Sequence, residues 1–257
     1  VSFTAGSSAV TVNAGATAED NGIGQTGVAF GVQIDEVNDA PVLDNHAELG
    51  AVNEDTDPAG ASVDSLYGSL FNDSKDAVSG GSSVDTFTGI AIASDASSSS
   101  TQGTWQFSSN GTDWANIGTV SAGSALLLVD KDSLIRFKPT TDFSGVPGKL
   151  TVHAVDGSYS GSFSTSPTTS VLQSFSTTSD DETSAVSINA VDLTTEINVV
   201  NDAPSFASGA TLTAIDEGNL TPSGETVDSL LGGSNFQDLK ETTANNFVGI
   251  AVVSNTA

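Results

Sequence analysis

Cysteine and methionine are both absent from the 257 residues. The first absence excludes a disulfide framework and thiolate metal sites, though not secretion. Positive charge is scarce: six Lys and Arg stand against 32 Asp and Glu, a formal net charge of −26. A surface of that sign repels phosphate backbones and anionic headgroups, which makes nucleic acid and membrane surfaces poor partners. The same excess opposes compaction by self-repulsion unless a cation neutralises part of it on folding, and a divalent metal is the obvious candidate. No run reaches the roughly 18 apolar residues of a membrane-spanning helix. Beginning at Val1 and lacking methionine, the sequence reads as a monomeric piece of something longer, with targeting segments outside it.

What is present is a repeat. Asn38-Asp39-Ala40-Pro41 returns 163 positions later as Asn201-Asp202-Ala203-Pro204. Glu54 returns as Glu217, Val63-Asp64-Ser65-Leu66 as Val227-Asp228-Ser229-Leu230, and Gly89-Ile90-Ala91-Ile92 as Gly249-Ile250-Ala251-Val252. Ordered matches over such a length predict the tail of one unit (residues 1–41), one whole unit (42–203) and the head of a third (204–257). The two partial units carry apolar strand residues that neither buries alone, so they are expected to pair with each other or dock on the central unit.

Val, Ile, Thr and Phe alternate with small polar residues in "TWQFS", "LIRF", "LTVHAV" and "TEINVV", separated by Gly, Asn and Ser clusters. This predicts an all-β chain of antiparallel β-sandwich modules. Asn110-Gly111 predicts a tight hairpin turn that brings Trp114 back beside Trp105 and Phe107, with both tryptophans in the core. Val63, Leu66, Leu70 and Phe71 suggest one short helical turn.

Side-chain oxygens gather around the repeated word. Asp35 and Glu36 precede Asn38 and Asp39, and Glu54, Asp55 and Asp57 follow; the second copy offers Asn201 and Asp202 with Asp216 and Glu217. Hard cations such as Ca2+ take six to eight oxygens, so these positions read as calcium ligands at the joints between units. The alternative is a solvated acidic loop. A second acidic turn, Asp73-Ser74-Lys75-Asp76, reads as a place where an incompletely coordinated calcium takes a ligand carboxylate, with Tyr67 and Tyr159 available to line a recognition surface.

Asn-Asp-Ala-Pro at a boundary, the early "NEDT" and "IDEG", and "FKPTTDFSGVPGKLTVHAVDG" together resemble the cadherin-like repeats of giant bacterial surface adhesins. Pro139, Asp142, Phe143, Gly145, Asp156 and Gly157 match that family's late-strand pattern, and the resemblance implies calcium held by Asp39, Glu54 and Asp156. "GIAIAS", "GTWQFSSNGTDWANIGTV" and "ALLLVDKDSLIRFKP" are similar to the peptide-binding domain of RTX adhesins of marine bacteria and vibrios. That similarity implies an extracellular, cell-surface module that uses calcium to hold a short peptide on a host or neighbouring cell; an incompletely coordinated calcium would take such a peptide through its free C-terminal carboxylate. Two other readings stay open: a structural extender whose calcium ions stiffen the joints, and a sugar-binding adhesin module. No enzyme is expected. His46 and His153 are far apart, no GxSxG word exists, and Asp130 and Asp132 flank Lys131 beside a strand.

Overall fold

The computed structural model describes residues 37–77, 84–123, 125–175, 183–240 and 243–254, and the backbone pairing of Val10–Thr11 with Ala29–Phe30. The chain is all-β, with two five-residue helices among the described residues. Residues 42–198 build a six-stranded and a four-stranded sheet. In order across the first run Leu172–Gln173, Leu126–Asp130, Gly89–Asp95, Leu150–Val155, Val191–Thr194 and Ala47–Glu48; across the second run Ala115–Asn116, Gly103–Ser108, Leu134–Pro139 and Ala61–Ser62.

Period-two patterning places the core. In Gly103–Ser108, Trp105 and Phe107 are fully buried while Thr104 and Gln106, which alternate with them, are half-exposed. These rings join Ile135 and Phe137 from the same sheet and Ile90, Ile92, Leu127, Val129, Leu150 and Val152 from the larger one in a single apolar cluster. Trp105 packs edge-on to Phe137 at 5.2 Å, and its Nε1–H donates to the Gly148 carbonyl at 2.8 Å, so the buried indole keeps its polar atom satisfied. Gly148 is required there, because a Cβ at that position would lie 2.1 Å from the Ala96 carbonyl oxygen. The larger sheet is covered on both faces: Ala91, Ala93, Leu126 and Leu128 point away from the main core and meet Val155, Val186, Tyr159, Phe163, Val171 and Phe175. Burial on both faces is why "GIAIA" and "LLLV" read as unbroken apolar runs.

The short helical turn exists, and it exists twice. Val63–Tyr67 is capped by Ser62, whose side chain accepts from the Ser65 amide; Val227–Leu231 is capped in the same way by Thr226 through Ser229. The helical spacing turns Val63 and Tyr67 inward together, so Tyr67 is fully buried. The hairpin differs from expectation. Only Gly111 takes a positive φ, Asn110 Oδ1 instead accepts from the Thr112 and Asp113 amides, and pairing resumes at Ala115 opposite Phe107. Trp114 therefore sits in the loop, half-buried, with the Arg136 guanidinium 3.9 Å over its ring.

The pairing is not purely antiparallel. Val191–Thr194 runs parallel to Ala47–Glu48, and Ile197–Asn198 parallel to Val52–Asn53. Leu43 and Asn189 close one end of this ladder with two bonds of 3.1 and 2.6 Å, and the Val200 amide donates to Glu54 Oε1 at 2.6 Å at the other. The physical reason is directional: the chain enters at one pole and leaves at the opposite one, so its leading and closing segments travel the same way.

In the third segment, Ser205–Phe206 pairs with Phe236–Gln237, and Phe206, Phe236 and Phe247 form a small ring cluster. Among the described residues no strand pairing joins residues 1–41 to 205–254. Val248 and Val252, with Val252 the counterpart of buried Ile92, are 99% and 77% exposed.

Candidate metal centres

At the entry pole, four pieces of chain converge. Asn38 and Asp39 arrive on the linker; Asp76 lies in and Asp73 beside the 3-10 turn Ser74–Asp76; Asp85 precedes strand Gly89–Asp95; Asp156 follows strand Leu150–Val155. Asn72 shapes the acidic turn by accepting from the Ser74 amide at 3.0 Å. Each carboxylate is then fixed by one backbone donor: Asp73 Oδ2 by the Asp85 amide at 2.7 Å, Asp76 Oδ1 by the Asp39 amide at 2.7 Å, and Asp156 Oδ1 by the Ser158 amide at 2.8 Å. Carboxylate oxygens of Asp73, Asp76 and Asp85 lie within 4.8 Å of one another.

The oxygens left over decide what the cluster is for. Asp73 is 3% exposed and Asp156 wholly buried, yet Asp73 Oδ1, Asp156 Oδ2 and Asn38 Oδ1 are buried with no hydrogen-bond partner. A buried carboxylate oxygen without a donor costs several kcal/mol on the order of magnitude of ion desolvation, unless a cation meets it. Burial, with the charges of Asp76 and Asp156 adding and the Asp85 amide opposing, lifts the Asp73 carboxyl from 3.8 to about 6. Asp156 is also raised, by burial first, against the bonds from Ser158 and with the Asp85 charge adding. Oxygens alone make up the donor set, which suits a hard cation of the calcium class.

The arrangement recurs at the next boundary. Asn201 Nδ2 donates to the Asp202 carbonyl as Asn38 Nδ2 does to that of Asp39, at 2.9 and 3.2 Å. Asp238, 5% exposed, accepts from the Asn245 amide as Asp73 accepts from that of Asp85. Here an amide side chain replaces Asp85, and its Nδ2 donates to Asn201 Oδ1 at 3.2 Å.

Facing this second cradle is the exit pole of the central unit. Glu54 is 1% exposed; its Oε1 holds the Val200 amide, and its Oε2 is buried without a partner. Asp55 and Asp142 both take left-handed backbone (φ 57° and 58°), which short polar side chains tolerate best, and the Asp142 amide donates to Asp55 Oδ1 at 3.0 Å. Asp55, Asp142 and Asp202 bring oxygens within 4.8 Å of one another.

These positions redistribute the ligands read from sequence. The Asp39 amide reaches Asp76 and Asn38 lies beside Asp156, while the Asp39 carboxylate joins neither acidic cluster, and Glu54 and Asp55 stand at the opposite pole, beside Val200 and Asp142. The twelve residues from Val42 to Asn53, which include three short strands, reach up to about 40 Å when extended. Glu217 and Asp216 are both exposed and neither joins the Asn201–Asp202 cluster. Asp35 lies outside the described residues. Asp73 and Asp76, read as an open ligand-binding loop, are buried inside the entry cluster. Tyr67 is corrected to the core, and Tyr159 packs on Phe163 and Phe175 over the outer face of the larger sheet. Asp85 and Asp142 join these acidic clusters although the sequence reading does not single them out as metal-binding positions; the recurrence of Asp73 as Asp238 is the signal for the acidic turn, and the match of Pro139, Asp142 and Phe143 to the late-strand pattern the signal for Asp142. Comparison with protein families, curated proteins and solved structures finds no match to this chain.

Proposed function

We propose that this chain is a segment of a calcium-stiffened, tandem-repeat adhesin of the cell surface, built of cadherin-like β-sandwich units joined pole to pole. The observation that carries the reading is the set of buried, donorless oxygens on Asn38, Asp73 and Asp156 where a linker enters a unit, with a second cradle at the next linker. A cation there binds linker and unit at once, so it fixes the angle between neighbours. Calcium is abundant outside cells, and a chain of this net charge gains most from it there. Burial of Asp73, Asp76 and Tyr67 favours the extender among the three sequence readings, because these residues form no open groove for a peptide.

Calorimetric titration of the full chain with CaCl2, paired with melting curves in calcium and in EDTA, tests this. Calcium should raise the melting temperature by many degrees, and Asp156→Ala should remove most of that gain. Equal melting curves in calcium and EDTA would refute the reading. Tight calcium-dependent binding of a free-acid peptide, lost with its amide, would restore peptide recognition.

A further inference from the structure

Two of the chain's six basic residues occupy the same place in the repeat. Phe71-Asn72-Asp73-Ser74-Lys75 aligns with Phe236-Gln237-Asp238-Leu239-Lys240, and both lysines are exposed. In the second copy the lysine has something to reach. Lys240 Nζ lies 3.3 Å from Asp142 Oδ1 and 3.9 Å from Asp202 Oδ1. Asp142 belongs to the central unit, 98 residues earlier, so this ion pair crosses the boundary between repeats. Its position is not casual: left-handed backbone and the bond to Asp55 hold Asp142 at the pole.

We propose that Lys240 is a tethered cation that straps one repeat to the acidic exit pole of the repeat before it, and that Lys75 is built to grip the corresponding pole of a unit ahead. The surface it fits is defined by chemistry: two aspartates on the exit pole, placed as Asp55 and Asp142 are, plus the Asp of the linker. Without a cation these three carboxylates would repel within 4.8 Å in a chain of net charge −26. The lysine supplies a cation that cannot diffuse away, so the joint keeps an orientation when no divalent ion is bound. Asp142 and then Asp202 hold the ammonium above its ordinary range, in keeping with that placement. The inference stands on the ion pairs and the repeat, independently of calcium.

Hydrogen exchange of the linker amides 200–206, measured on the full chain in EDTA, tests it. Lys240→Gln should speed exchange there roughly twofold to fivefold, the range of an exposed ion pair, and Lys240→Arg should keep the wild-type rate. Asp142→Asn should give the same acceleration as Lys240→Gln, and the double variant no more than either alone. Lys75→Gln, at the other pole, should leave these amides unchanged. Unaltered exchange in Lys240→Gln, equal acceleration in Lys240→Arg, or fully additive effects of the two single variants would each overturn the strap. Because calcium is absent throughout, failure here leaves the calcium reading intact, and the reverse also holds.

Discussion

Asp73→Asn should stabilise the protein in EDTA and destabilise it in calcium. The carboxyl sits near 6 in the folded chain against an ordinary 3.8. Between those values the folded state binds more protons than the unfolded one, so its advantage is full below the lower value and is lost as pH rises through the higher. The ceiling on that loss is about 3 kcal/mol at 1.36 kcal/mol per unit. Ser74, Lys75 and Ala77 beside Asp73 are exposed, and screening by the solvent there lowers the loss to about 1–2 kcal/mol. For a chain of this size this amounts to about 2–8 °C in melting temperature. Wild type in EDTA should therefore melt lower at pH 7.5 than at pH 4.5 by about two-thirds of that margin relative to Asp73→Asn, whose amide does not ionise and still accepts from the Asp85 amide. Calcium reverses the order: it selects ionised carboxylates, so its stabilisation of wild type grows with pH, up to about 4 kcal/mol where calcium stands at a thousandfold excess over Kd. Differential scanning fluorimetry across pH 4–8, with and without calcium, reads both arms. Parallel pH profiles of the two proteins in EDTA would refute the electrostatic argument, whatever calcium does.

Asn189→Ala removes both bonds to Leu43 and leaves that backbone pair without side-chain partners; it should cost about 1–3 kcal/mol, read as faster exchange of the Leu43 amide with little change at Trp105. Gly148→Ala forces a Cβ onto the Ala96 carbonyl and disturbs the acceptor of the Trp105 indole, so the chain should lose its cooperative melting transition and its native tryptophan emission.

How much of this was legible follows from the range of each interaction. The all-β character and the burial of Trp105 and Phe107 come from patterns within a few residues, which survive in one dimension. The parallel ladder does not. Ala47–Glu48 and Val191–Thr194 are too short to advertise a partner, and nothing local distinguishes which neighbour each chooses. Glu54 was grouped with Asp39 because the two are near in sequence, whereas an extended segment carries them to opposite poles. Asp73 and Asp76 look like a solvated turn by composition; their burial depends on Asn38, Asp85 and Asp156 arriving from three other parts of the chain.

The parallel ladder between Ala47 and Glu54 on one side and Leu193 and Val200 on the other has a mechanical meaning. A pull applied through the entering and leaving chain draws these two segments in opposite directions along their own axes. The inter-strand bonds, from Leu49 N–H to the Thr194 carbonyl through Glu54 N–H to the Asn198 carbonyl, lie across that pull and are strained together. A hairpin pulled from its open end parts one bond at a time; this pair must lose several at once, so the unit withstands tension as a shear clamp, and its lifetime under force is set by the unfolding barrier of that clamp.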